Sequence, residues 1–124
     1  MSVIVTDAGF GPDKAADWHD LAPDTPPKEM ARIVQEAGAI RITFPNFADG
    51  RGFTLAASLR RAGFTGRLRA AGYVLADQYA MARRAGFDEV EISDALAARQ
   101  PEAQWLARAN WAVHDYRARL RRRA

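Results

Sequence analysis

The sequence contains no cysteine. That absence removes disulfides, thiolate nucleophiles, iron–sulfur ligation and cysteine-based zinc sites together. Histidine is scarce, with only His19 and His114. Neither has a partner at metal-ligand spacing, and the adjacent His114 and Asp115 would point about 100° apart on a helix. No metal site is expected. No apolar run approaches the ~20 residues that span a membrane, so no membrane partner is expected. The start, Met1 to Asp7, lacks basic residues and reaches an acid too early for a secretory signal. A cytoplasmic protein is the expectation. Lysine is nearly absent as well: arginine supplies almost all of the 18 basic side chains.

What is present is ordinary for a globular chain. The 124 residues are 48% hydrophobic and 27% charged, enough for one folded domain over residues 1–124 and too few for a second core. The charge is divided. Residues 1–36 carry seven acids against Lys14, Lys28 and Arg32, and the remainder carries 15 bases against 8 acids, for a total of +3. A basic half suits an anionic partner or a solvated helix face.

An internal repeat organises the middle of the chain. Gln35-Glu36-Ala37-Gly38-Ala39, Arg60-Arg61-Ala62-Gly63-Phe64 and Arg83-Arg84-Ala85-Gly86-Phe87 each follow a helical pattern and precede a strand-like run. Glycine ends helices by entering the left-handed region without steric cost, and arginines before it suit the helix dipole. Successive strand–helix units predict a small, mostly parallel sheet. Helices are predicted from Pro26-Pro27 with Thr25 as cap, from about Phe53 to Ala62, from about Asp77 to Ala85, and from Pro101 onward. The last carries the stripe Trp105, Ala109, Ala112, Val113, Tyr116 and Leu120, a long amphipathic helix. Residues 8–26 read as mostly irregular, with one helical turn near Ala15 to Leu21.

The strands alternate. Ile40, Ile42, Phe44, Leu68, Val90 and Ile92 share one face, and Arg41, Thr43, Arg67, Arg69, Glu89 and Glu91 share the other. A doubly wound sheet buries both faces and reads as continuous apolar runs. An α/β fold with helices on one face and polar side chains on the other is therefore expected, in the manner of a half-(βα)-barrel. With Val3 to Thr6 it counts four strands. Open edges make a homo-oligomer the expectation.

Two segments could carry chemistry. Asp49-Gly50-Arg51-Gly52 follows a strand and opens a helix, where parallel α/β folds bind ligands. The glycines admit close backbone approach, the helix start offers N–H groups to an anion, and Arg51 supplies a forked donor for an oxyanion. The same residues also suit a plain capped loop in which Asp49 pairs with Arg51. The second segment brings Arg69 on the polar face and Asp77 and Gln78 at the next strand-to-helix junction, with Asp77 as a helix cap. Together Asp49, Gly50, Arg51, Gly52, Arg69, Asp77 and Gln78 form the candidate binding site. A carboxylate held by arginine is a poor general acid, so binding is favoured over catalysis, and no catalytic residue is assigned. The glycines match neither a Walker loop nor a dinucleotide fingerprint, and no cofactor is expected. Arg117, Arg119, Arg121, Arg122 and Arg123 could touch nucleic acid, but a solvated helix end is the preferred reading.

Phe44-Pro45, Phe47, Asp49-Gly50-Arg51-Gly52, Leu59-Arg60, Gly66, Leu68-Arg69-Ala70, Gly72, Val74-Leu75, Asp77-Gln78 and Arg84, Gly86-Phe87-Asp88 form an ordered set of short motifs over about Ile40 to Ile92. This set resembles the bacterial domain-of-unknown-function family 934. Tyr73 stands where that family often has an acid and Ala85 where it often has a cysteine, and the segment from Asp94 onward departs from its usual ending. The resemblance implies an oxidoreductase or an accessory protein of sulfite reduction, linked to sulfite reductase as partner. With no thiol and no flavin or nicotinamide motif to move electrons, the accessory role in assimilatory sulfite or sulfate reduction is the leading reading, with a small oxyanion at Arg51 and Arg69. The alternatives are an enzyme of unassigned reaction on a small anionic substrate and, more weakly, a basic nucleic-acid-binding module.

Overall fold

In a computed structural model that describes residues 2–114, the alternating segments become strands of one six-stranded sheet. In chain order these are β1 (Ser2–Thr6), β2 (Gly9–Gly11), β3 (Trp18–Leu21), β4 (Ala39–Phe44), β5 (Arg67–Gly72) and β6 (Glu89–Ser93). Five helices accompany them: α1 (Met30–Glu36), α2 (Arg51–Arg61), α3 (Tyr79–Ala85), α4 (Asp94–Arg99) and α5 (Glu102–Leu106). Across the sheet the order is β2-β1-β6-β5-β4-β3. Strands β3 to β6 run parallel in sequence order, and β1 lies antiparallel to both β6 and β2.

This arrangement departs from the expectation of a half-(βα)-barrel assembled from β1, β4, β5 and β6, because every strand of a (βα) barrel runs parallel to its neighbours and β1 runs antiparallel to β6. The fourth parallel strand is β3, drawn from the stretch that reads as irregular or helical. Trp18, His19, Asp20 and Leu21 pair with Ala39, Ile40, Arg41 and Ile42. Local pattern fails there because pairing and one ion pair hold the strand, not its own periodicity.

The two faces divide as the alternation requires. Ile40, Ile42, Phe44, Leu68, Val90 and Ile92 are buried with Ile33 of α1, Leu55 and Leu59 of α2 and Tyr79 and Ala82 of α3 in a single apolar cluster. Each fully buried aliphatic side chain contributes about 1.5–3 kcal/mol. The opposite face holds the charges, and a link of six residues, 12–17, crosses it from edge strand β2 to edge strand β3. Gly11 to Trp18 spans at most ~25 Å when extended, about the width of six flat strands spaced ~4.8 Å apart. The link is fastened from below: Asp13 Oδ1 accepts from Arg69 at 3.0 Å and the Lys14 carbonyl from Arg67 at 3.3 Å.

The C-terminal pattern also resolves differently. The helix begins after Pro101 as expected but ends at Leu106, and a turn leads into a short 3-10 segment, Trp111–His114. Six positions apart on one straight helix, Trp105 and Trp111 would face about 120° apart. The turn lets both indoles reach α3: Trp105 packs edge-on against Tyr79 at 6.0 Å, and Arg83 lies 4.7 Å over the Trp111 ring. Tyr116 and Leu120 lie outside the described residues. The start of the first helix differs as well. Thr25 donates to the Ala22 carbonyl and caps nothing, and a 3-10 turn, Pro27–Glu29, precedes α1. Helix α4 has no counterpart among the sequence expectations, although Ser93 caps it by accepting from Leu96 N at 3.1 Å.

Candidate functional site

At the C-terminal ends of the parallel strands, the loop from β4 to α2 is built on its own short side chains. Asn46 Oδ1 accepts from Ala48 N at 2.9 Å, and Asp49 Oδ1 accepts from Arg51 N at 3.1 Å. The Arg51 guanidinium turns back onto the same carboxylate, Nε to Oδ1 at 3.0 Å and Nη2 to Oδ2 at 2.7 Å. These hydrogen bonds from Arg51 hold the Asp49 carboxyl below its ordinary range, and the carboxylate in turn raises Arg51. The Arg51 side chain is still 59% exposed. The two glycines differ in surroundings. A Cβ at Gly52 would stand 2.4 Å from the Phe44 ring, so the start of α2 needs glycine to seat on the core. Gly50 faces open space with an ordinary negative φ.

The next junction is tied to this one. Gln78 Oε1 accepts from Leu75 N at 2.8 Å, and its Nε2 donates to the Phe47 carbonyl at 3.1 Å. Asp77 does not cap α3. It turns outward to pair with Arg108 beyond α5. The rim between the junctions carries two aromatic rings in solvent: Phe47 and Tyr73, 39% and 53% exposed, meet edge to face at 5.2 Å. Periodicity does not flag these rings, because both sit in loops. Arg51 also borders a cleft of about 250 Å³ whose walls include Pro23, Met30, Thr54 and Leu55.

Arg69 belongs elsewhere. It has no exposed side-chain surface. It donates to Glu89 Oε2 at 2.6 and 2.9 Å, to Glu91 Oε1 at 2.7 Å and to Asp13 at 3.0 Å, while its guanidinium lies 4.3 Å over the Trp18 ring. Burial acts to lower the Arg69 pKa, but the hydrogen bonds to Asp13, Glu91 and Glu89 overcome it and raise it. Arg41 joins Asp20 to Glu91, and Arg67 binds Glu89 and stacks on Trp18. The polar face is thus a closed ion-pair network under residues 12–17. The candidate residues separate accordingly. Asp49, Gly50, Arg51, Gly52 and Gln78 share the rim, Asp77 faces Arg108, and Arg69 is interior.

A third cluster gathers around Asp7, which accepts from Tyr79 Oη at 2.5 Å, Trp111 Nε1 at 3.1 Å and Arg83 at 3.3 Å. Burial acts to raise its pKa, yet these donors hold it below the ordinary 3.8. Among the described residues no group of three His, Asp or Glu side chains could hold a metal ion, and no helix is long and apolar enough to cross a membrane.

Fold and site together define a mixed α/β protein with a one-sided helical layer and an arginine-bearing, aromatic rim at the strand ends. The chain belongs to the bacterial protein family of unknown function DUF934, whose model matches residues 20–123. The match extends past Asp94, so the C-terminal segment that departs from the motif pattern lies within the family's span. Comparison with curated proteins gives no match, and comparison with solved structures gives none.

Proposed function

We propose that this chain is an accessory protein of assimilatory sulfite or sulfate reduction that acts through protein contacts at the strand-end rim, with a small oxyanion as ligand of Arg51. The pathway rests on the family resemblance. The mode of action rests on the exposed Phe47–Tyr73 pair beside a half-exposed arginine. Aromatic and arginine side chains dominate the energetics of protein interfaces. Catalysis is less well supported, because the carboxyls with displaced pKa values, Asp7, Asp20 and Asp49, are all displaced downward, away from what a general acid needs.

The test is binding to purified sulfite reductase by surface plasmon resonance. Tyr73→Ala and Phe47→Ala should each weaken it about 10-fold or more, near 1.4 kcal/mol. Full binding by both variants, or none by the wild type, would overturn the contact reading. Sulfite should raise the thermal midpoint of the wild type and not of Arg51→Ala. Steady-state turnover of a small anion, lost in Asp77→Asn, would instead favour an enzyme. The arginines at 117, 119 and 121–123 lie outside the described residues, and salt-sensitive binding to DNA or RNA would favour the nucleic-acid alternative.

A further inference from the structure

On the polar face, at the end of the sheet away from Arg51, a second and larger cleft of about 510 Å³ opens between the β1–β2 hairpin and the crossing link. Its volume falls within the range of small-molecule sites. The chemistry of its walls is unequal. Ala8, Phe10 and Pro12 supply apolar surface, and Ile4 lies buried beneath it. Three charged residues border it: Lys14, Arg67 and Glu89. Glu89 is committed, one oxygen to Arg67 and the other to Arg69. Arg67 is committed to Glu89, to the Lys14 carbonyl and to the Trp18 ring. Lys14 alone among them has an ammonium with no hydrogen bond or ion pair among the described residues. The cleft therefore presents an apolar wall and one uncompensated positive charge, flanked by a second cation held rigid.

We infer that this cleft binds a small organic anion, with its apolar body against Ala8, Phe10 and Pro12 and its anionic group at Lys14. Gly11 provides a way to test occupancy. It pairs directly with Ile4 and so faces the same side. A Cβ there meets nothing within 4 Å, so a side chain enters the cleft without strain.

Isothermal titration with octanoate, 1-octanol and octylamine reads the proposal directly. Octanoate should bind saturably at one site, about 10-fold or more tighter than octanol, with octylamine weakest. Lys14→Met should abolish the preference for octanoate over octanol. Gly11→Phe should abolish binding of both while unfolding cooperatively near the wild-type midpoint. No saturable heat with octanoate at millimolar concentration would overturn the site, as would binding unchanged in Gly11→Phe. Octylamine binding as tightly as octanoate would overturn the charge assignment. Because Arg51 is untouched, a failure here leaves the rim proposal standing.

Discussion

Arg69 is the residue on which the polar face depends. It has no exposed side-chain surface, and three carboxyl side chains converge on it. Removing one partner of a buried ion cluster leaves the others uncompensated. Arg69→Met should lower stability by about 3–5 kcal/mol in urea unfolding. Asp7 gives a pH signature. Its pKa is depressed in the folded state, so its contribution is complete above the unfolded value near 3.8 and is lost as pH falls through the lower folded value. The urea midpoint of the wild type should fall with pH below about 4, and Asp7→Asn should show a shallower acid limb. The alternation of Arg67, Arg69, Glu89 and Glu91 was enough to assign their face from sequence. It could not assign the burial of Arg69, because the link that covers it, 12–17, has no periodicity of its own. Trp18, on which three arginines stack, was hidden for the same reason.

At the scale of elements, the repeated glycines prove unequal. Gly86 ends α3 at φ +116°, and a Cβ there would stand 2.6 Å from Arg60 Cγ. Gly38 has no positive φ and open space around it, because Ala37 has already left the helix in extended conformation. Gly86→Ala should cost about 1–2 kcal/mol, and Gly38→Ala should stay within about 0.5 kcal/mol, both by thermal or urea unfolding. Helices α2 and α3 and the repeat's strands were legible because each satisfies its own pattern. Strands β2 and β3 were not, since three or four residues carry too little periodicity and their pairing is supplied by distant chain. The Asp49–Arg51 pair was legible as one of two readings, while the Tyr73–Phe47 contact needs β4 and β5 side by side.

For the molecule as a whole, the two sheet edges differ. The N–H of Phe10 on β2 is taken by Glu102 Oε2 at 2.8 Å, which blunts that edge. Strand β3 ends the sheet on the other side and is the edge through which self-association is expected. Sedimentation equilibrium should therefore return a dimer at micromolar concentration, and a monomer at all concentrations would rule out that edge as an interface.

The pairing of β1 with β6 also sets a timetable for synthesis. Ser2 meets Ser93, and Phe10 meets Glu102 across 92 positions. At ~5–20 residues per second on a ribosome, β1 and its hairpin partner β2 emerge roughly 5–20 s before β6 exists. Throughout that interval Val3, Ile4 and Val5 have only the β2 hairpin to pair with. A chain lacking residues 2–11 would leave β6 as a bare edge instead, and it should collect in the insoluble fraction of the cell.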